Sequence, residues 1–134
     1  MILRVSDLTP GVADLLALAM FPDPERVRAT LEKYASDPQR QVWVWQEEEQ
    51  PVCAAGVRVS GRVAEILHIG TRAGARRQGH AERLLLSLLE QLGLTTLEAE
   101  TDDEAVEFYR QAGFSIEETA GRGGHIRYHC TLIA

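Results

Sequence analysis

The stretch AEILHIGTRAGARRQGHAERLLLSLLEQL, residues 64 to 92, leaves few folds open to this chain. Its apolar run from Ala64 to Thr71 predicts a strand. Leu85, Leu88, Leu89 and Leu92, at i, i+3, i+4 and i+7, predict one face of a helix that begins near Gly79. Gly93 follows where a helix C-terminus takes a residue tolerant of positive φ. The loop between strand and helix is basic and glycine-containing. The first amides of a helix lack intrahelical partners and lie at the positive end of its dipole. Here a glycine clears the space around them, and Arg72, Arg76, Arg77 and Arg83 flank them. Such a place suits an anion, most naturally a phosphate; a solvated connection is the plainer reading of the same loop.

The rest of the chain supplies strands and helices around this unit. Ile2 to Val5 predicts a short strand. Thr9 before Pro10 reads as a cap and first helical residue, and a stripe of Val12, Leu15, Leu16 and Ala19 carries that helix to about Met20. FPDP (21 to 24) breaks it. Asp23 and Pro24 then repeat the start signal, with Glu25 favouring the positive helix end, for a second helix to about Ser36 with Val27, Leu31 and Tyr34 on one face. Gln41 to Gln46 predicts a strand, EEEQP a polar turn, and Val52 to Ser60 a long strand joined to the next by Gly61. Trp43 and Trp45 share a strand face and suit sheet packing, while Gly56 marks a bulge or a close backbone approach.

After the central helix, Thr95 to Thr101 predicts a strand with an acidic exposed side. The strand–helix–strand crossover makes it parallel to residues 64 to 71. A helix follows from about Asp102, with Ala105, Phe108, Tyr109 and Ala112 inward, ending at Gly113. Phe114 to Glu118 is then a strand, GRGG (121 to 124) a turn, and His125 to Ile133 the last strand. The fold class is α/β or α+β: one domain over residues 1 to 134, with a mixed, mostly antiparallel sheet of six to seven strands flanked by about four helices.

Spacing links the loop to a known family. Arg76-x-x-Gly79-x-Ala81 resembles the (Gln/Arg)-x-x-Gly-x-(Gly/Ala) motif of the Gcn5-related N-acetyltransferases (GNAT), and ILHIGT before it looks like that family's fourth strand. AVEFYRQAGF (105 to 114) is similar to the family's late helix and following strand, with Tyr109 at the position of the usual tyrosine. The resemblance covers roughly the second half of the chain. It implies an acyl-CoA N-acyltransferase fold and acetyl-CoA as cosubstrate, without a metal. The cofactor residues would be Ile69, Gly70 and Thr71 on the strand, Arg76, Arg77, Gln78, Gly79, His80 and Ala81 at the helix start, and Asp102 and Phe108 downstream. It also implies that strands 64 to 71 and 95 to 101 splay apart, so that the pantetheine arm pairs with backbone between them like an added strand. The two N-terminal helices and their connection would cover the acceptor. Asp102 departs from the family pattern, which often has asparagine there; it keeps helix-capping ability and leaves amide donation to the cofactor in doubt.

Charge and cysteine usage narrow the function further. At 134 residues the chain can bury about two thirds of its unfolded surface, so its core needs no disulfide or metal. A formal net charge of -6 argues against nucleic acid as a partner. The imbalance is local: Glu98, Glu100, Asp102, Asp103, Glu104 and Glu107 crowd one stretch, which suits a cationic acceptor or a solvated face. Cys53 and Cys130 belong to no ligand spacing and read as reduced thiols. With no leader and no apolar run long enough for a bilayer, the expectation is a soluble, cytoplasmic protein with no membrane partner. A homodimer is compatible with the sequence.

Acetylation of an amine from a thioester needs a nucleophile freed of its proton, a polarised carbonyl and a proton for the leaving thiolate. The resemblance makes Glu65 the candidate base, at the position of the catalytic glutamate in the histone-acetylating branch; an apolar strand around it would raise its pKa. His68 is the rival base or a hydrogen-bonded core histidine, and simple alternation puts it on the opposite face from Glu65. Tyr109 would protonate the thiolate, or it is a core aromatic. His125, His129 and Cys130 offer too few ligands for zinc. Three functions emerge: an acetyl-CoA-dependent N-acetyltransferase of a primary amine, acting by direct attack in a ternary complex; a non-catalytic acyl-CoA-binding or sensing domain of the same fold; and, disfavoured by charge, a nucleic-acid binder.

Overall fold

Thr9 and Asp23 cap the two N-terminal helices, as their short oxygen-bearing side chains predict. In this computed structural model, which describes residues 1–121, 123 and 125–134, the Thr9 hydroxyl accepts from the Val12 amide, and the Asp23 carboxylate accepts from the amides of Glu25 and Arg26. The elements in order are β1 (Ile2–Val5), α1 (Pro10–Ala17), α2 (Pro24–Ser36), β2 (Arg40–Glu47), β3 (Gln50–Ser60), β4 (Val63–Thr71), a single 3₁₀ turn (Ala73–Ala75), α3 (His80–Gln91), β5 (Thr96–Thr101), α4 (Val106–Gln111), β6 (Ser115–Ala120) and β7 (Ile126–Ile133). The turn expected over 121 to 124 includes Arg122 and Gly124, which lie outside the described residues.

The seven strands form one mixed sheet in the order β1-β2-β3-β4-β5-β7-β6, antiparallel everywhere except between β4 and β5. Helices α1 and α2 bury Val12, Leu15, Leu16 and Tyr34 against Val42, Val44 and Ala54 on one face. On the other face Leu84, Leu85 and Leu88 of α3 pack with Tyr109, Phe114, Leu97, Ile66 and Trp43 in the larger core. The helical leucine spacing and the tryptophan pair thus serve packing.

Three local expectations need correction. Helix α1 stops at Ala17 rather than Met20 because successive i→i−3 bonds, from the amides of Leu18, Ala19 and Met20, tighten its end and leave Ala19 exposed. Helix α4 starts at Val106, not Asp102: the Asp102 carboxylate accepts from the amides of Glu104 and Ala105 at 3.0 and 3.1 Å, forming a turn that comes before the helix. Ala105 is therefore exposed, and Val106 takes the buried place expected for it. The turn after β2 uses Glu48 and Glu49, both left-handed with φ of 51° and 65°, and Gln50 already belongs to β3.

Strand β4 is irregular on both of its edges. Opposite β3, Gly56 faces His68 while Val57 faces Ile66, so Leu67 is an extra residue and β4 bulges there. Opposite β5, pairing runs only from Val63↔Thr96 to Ile66↔Ala99, so the two parallel strands separate just where the bulge begins.

Candidate active site

Beyond Ile66 the β5-facing edge of β4 has no strand beside it, although the strand continues to Thr71. Backbone groups on such an edge are free to pair with an extended ligand. The edge leads into a cleft of about 830 Å³ lined by Ile69, Gly70, Thr71, Arg76, Arg77, Gly79, His80, Ala81 and Phe108, together with Leu18, Ala75, Glu82 and Gln111. Of the cofactor residues expected from sequence, only Gln78 and Asp102 lie outside this lining. The side chains of Leu18, Ala75, Glu82 and Gln111 carried no motif that would have singled them out.

The cleft ends at the start of α3. Gly79 occupies the N-cap position at φ 79° and no side chain among the described residues caps the helix, so its first amides remain available to an anion. Arg77 is also left-handed, at φ 63°, a conformation costing a non-glycine residue about 1–2 kcal/mol and of the kind that persists at binding sites. Not all four arginines stand free. The Arg76 Nε donates to the Thr71 carbonyl at 3.2 Å, and Arg83 donates to the Gln78 carbonyl while its guanidinium lies 5.8 Å from the Trp45 ring centre. His80 is 7% exposed; its Nε2 lies 3.2 Å from the Gln78 amide oxygen, while its buried Nδ1, 3.6 Å from the Glu47 carboxylate, has no hydrogen-bond partner among the described residues. The indole N–H of Trp45 and, less strongly, nearby positive charge hold the Glu47 carboxyl below its ordinary pKa.

Around the separation of the strands stand the residues proposed for chemistry. Glu65 is half-buried, between Arg58 across β3 and Glu98 across β5, rather than enclosed by apolar side chains as expected. His68 shares its face. Alternation alone predicts opposite faces, but the extra residue at Leu67 reverses the pattern: Arg58 and Gly56, two apart on β3, face Glu65 and His68 respectively. The core reading of His68 also gains its partner, since Nδ1 lies 2.6 Å from the Tyr34 hydroxyl. Tyr109 is 5% exposed between Phe108 and Phe114, with ring centres 5.0 and 5.2 Å away in edge-to-face contact. Burial, and then the neighbouring Cys130, raise its hydroxyl above the ordinary phenol pKa. No hydrogen bond holds that hydroxyl among the described residues.

Two further clefts flank the sheet. One, of about 700 Å³, is lined by Glu100, Asp102, Asp103 and Glu104 with His125 and Arg127; Tyr128 donates to Asp103 at its edge, at 2.6 Å. The other, of about 790 Å³, lies between β1, α2 and β2. Among the described residues no group of three or more His, Cys, Asp or Glu could hold a metal ion, and no helix is long and apolar enough to cross a membrane. Cys53 and Cys130 are buried free thiols.

Comparison with known proteins places this geometry in context. The model of the acetyltransferase (GNAT) family matches residues 10–114. Among solved structures, an acetyltransferase of Bacillus subtilis in complex with CoA superposes with a TM-score of 0.75 at 18% identity, covering 99% of this chain and 97% of that one. An aminoglycoside 6′-N-acetyltransferase complexed with coenzyme A gives 0.78 at 16% identity, over 99% and 96%. A GNAT acetyltransferase of Elizabethkingia anophelis with acetyl-CoA bound gives 0.72 at 17%, over 100% and 97%. Identities this low speak for a common fold.

Proposed function

This chain belongs to the acetyltransferase (GNAT) family, and from that premise we propose that it transfers an acetyl group from acetyl-CoA to a primary amine, by direct attack within a ternary complex. The observation that carries the reading is the unpaired edge of β4, Leu67 to Thr71, which runs toward the uncapped first turn of α3. An extended arm ending in a pyrophosphate needs both in that order: strand-like backbone partners, then amides at a helix N-terminus. The solved relatives described with CoA or acetyl-CoA support the same ligand here.

The roles follow from the chemistry. An alkylammonium has a pKa near ~10.4, so its proton must go to a base before the nitrogen can attack. Glu65, half-buried on the face toward which the acceptor would come, is assigned that proton, directly or through water. The nitrogen lone pair then forms the C–N bond, the C–S bond breaks, the sulfur leaves as a thiolate, and the second proton, shed by the nitrogen after attack, passes through solvent to the thiolate to give the free thiol. Tyr109 is assigned the leaving sulfur. Its raised pKa keeps it protonated at neutral pH but makes full transfer to a thiol of ordinary pKa, ~8.5, uphill, so its contribution is a hydrogen bond that strengthens as C–S breaks.

Tyr109→Phe keeps the ring between Phe108 and Phe114 and removes only the hydroxyl. The expected result is a kcat lower by about 10²-fold, the scale of one transition-state hydrogen-bond donor, with thermal stabilisation by acetyl-CoA preserved. Equal turnover in Tyr109→Phe and the parent would leave Tyr109 as a core aromatic only.

The acceptor is assigned as cationic, supported by the cleft of Glu100, Asp102, Asp103 and Glu104 beside the end of β5. Thiol release from acetyl-CoA against a panel of amines tests the whole reading. Polyamines and lysine-rich peptides should be preferred, with apparent affinity falling as salt rises past ~0.1 M, where charges are screened over about 10 Å. Preference for neutral or acidic amines would refute the cationic assignment. Acetyl-CoA binding without thiol release for any amine would make this a non-catalytic acyl-CoA-binding domain.

A further inference from the structure

Three departures from a regular fold meet at one hydrogen bond. Gly56 lies without a side chain inside β3, Leu67 bulges from β4, and Tyr34 is the buried residue of α2. The tyrosine requires the glycine: a Cβ at position 56 would stand 2.0 Å from the Tyr34 hydroxyl oxygen and 2.4 Å from its Cζ. The bulge in turn brings His68 opposite Gly56. Tyr34 therefore crosses β3 over the glycine and meets Nδ1 of His68 on the next strand, hydroxyl to nitrogen 2.6 Å and ring centres 5.8 Å apart.

The pair is neutral at neutral pH. Burial, reinforced by the Arg40 guanidinium 5.4 Å from the Tyr34 ring centre, lowers the His68 imidazole to about 4, and burial raises the Tyr34 phenol. A neutral phenol has one hydrogen to give. If it goes to Nδ1, the ring hydrogen of His68 must sit on Nε2. The reverse arrangement would leave a buried O–H without an acceptor among the described residues, an arrangement that costs a full desolvation penalty. Nε2 itself has no partner among the described residues.

We propose that Tyr34 is a positioning residue that fixes His68 as its Nε2–H tautomer, making His68 a hydrogen-bond donor to the acetyl carbonyl oxygen rather than the base. The inference rests on the acetyltransferase reading above. As the amine nitrogen forms its bond to the carbonyl carbon, the C=O π electrons move onto oxygen; they return when C–S breaks and the thiolate departs. The oxygen is anionic in between. A donor held in place beforehand stabilises that charge, and a neutral imidazole of depressed pKa can serve as one. His68 lies on the part of β4 just past the last pair with β5, the segment beside which the thioester would run.

Ring ¹⁵N shifts of His68 read the tautomer without substrate. The expected result is Nε2–H in the parent at pH 7 and a mixture in Tyr34→Phe, which keeps the ring over Gly56. A parent in the Nδ1–H form overturns the proposal. Turnover supplies the second arm. His68→Gln retains an N–H donor without basicity and should stay within about tenfold of the parent kcat, whereas His68→Ala should lose about 10²-fold, the scale of one oxyanion donor. Tyr34→Phe should fall between them, with stabilisation by acetyl-CoA unchanged in all three. Equal losses in His68→Gln and His68→Ala would make His68 a base, and parental turnover in all three would remove it from the reaction; either result overturns the donor role alone. A parent inert toward every amine overturns the acetyltransferase reading, and this role with it, whatever the tautomer.

Discussion

Glu65→Gln is expected to lower turnover near neutral pH by about 10²–10⁴-fold, the range that a positioned general base contributes. Glutamine preserves the shape of the side chain between Arg58 and Glu98 and removes only its basicity. The pH profile identifies the cause. Below the amine pKa of ~10.4 the free-base fraction grows about tenfold per pH unit, so the defect narrows as pH rises and the acceptor needs less help losing its proton. A Glu65→Gln profile parallel to the parent's at every pH would transfer the proton to a water chain and leave Glu65 a surface carboxylate.

Gly79→Glu is expected to remove binding rather than chemistry. With acetyl-CoA at a hundred times its dissociation constant, the parent should gain about 2.7 kcal/mol of stability, and the variant should gain none. Two effects combine at this position. Glutamate adds a carboxylate where an anion would approach, and it gives a side chain to a residue at φ 79°. The second effect appears without ligand, as a melting temperature lowered by strain of about 1–2 kcal/mol. The first appears only as a missing ligand-induced shift. A folded Gly79→Glu protein with the full shift would move the pyrophosphate away from α3.

Where a structural demand falls on a residue type, the sequence carries it; where it falls on register, the sequence is silent. Thr9, Asp23 and the prolines after them announce helix starts because a short side-chain oxygen or a fixed φ is what those positions need. Gly79 and Gly93 mark the two ends of α3 because both backbones are left-handed, at φ 79° and 60°. Leu67 leaves no such mark. An extra leucine in the run ILHIG looks like any apolar strand residue, yet it carries His68 to the Glu65 face and overturns a prediction made from alternation.

The site is legible to the same degree. Most cofactor residues that the family resemblance implies line one cleft. Neither the left-handed Arg77 nor the ties that occupy Arg76 and Arg83 can be read from composition, since an arginine in a loop looks equally free in each case. In the sequence Tyr34 is no more than an apolar helical residue. The available clue is Gly56, expected to mark a bulge or a close backbone approach; the bulge lies instead on the opposing strand, and what approaches the glycine is the Tyr34 side chain.

Gly56 and Tyr34 also constrain how this chain can change over generations. A methyl group at position 56 would meet the Tyr34 hydroxyl at 2.0 Å, so the tyrosine would have to shift, at a cost of about 1–3 kcal/mol of a stability that totals only about 5–15. A side chain at position 56 therefore costs least once position 34 has lost its ring, and a tyrosine at position 34 costs least while position 56 is glycine. The two positions, on different elements and far apart in the chain, answer to one steric demand.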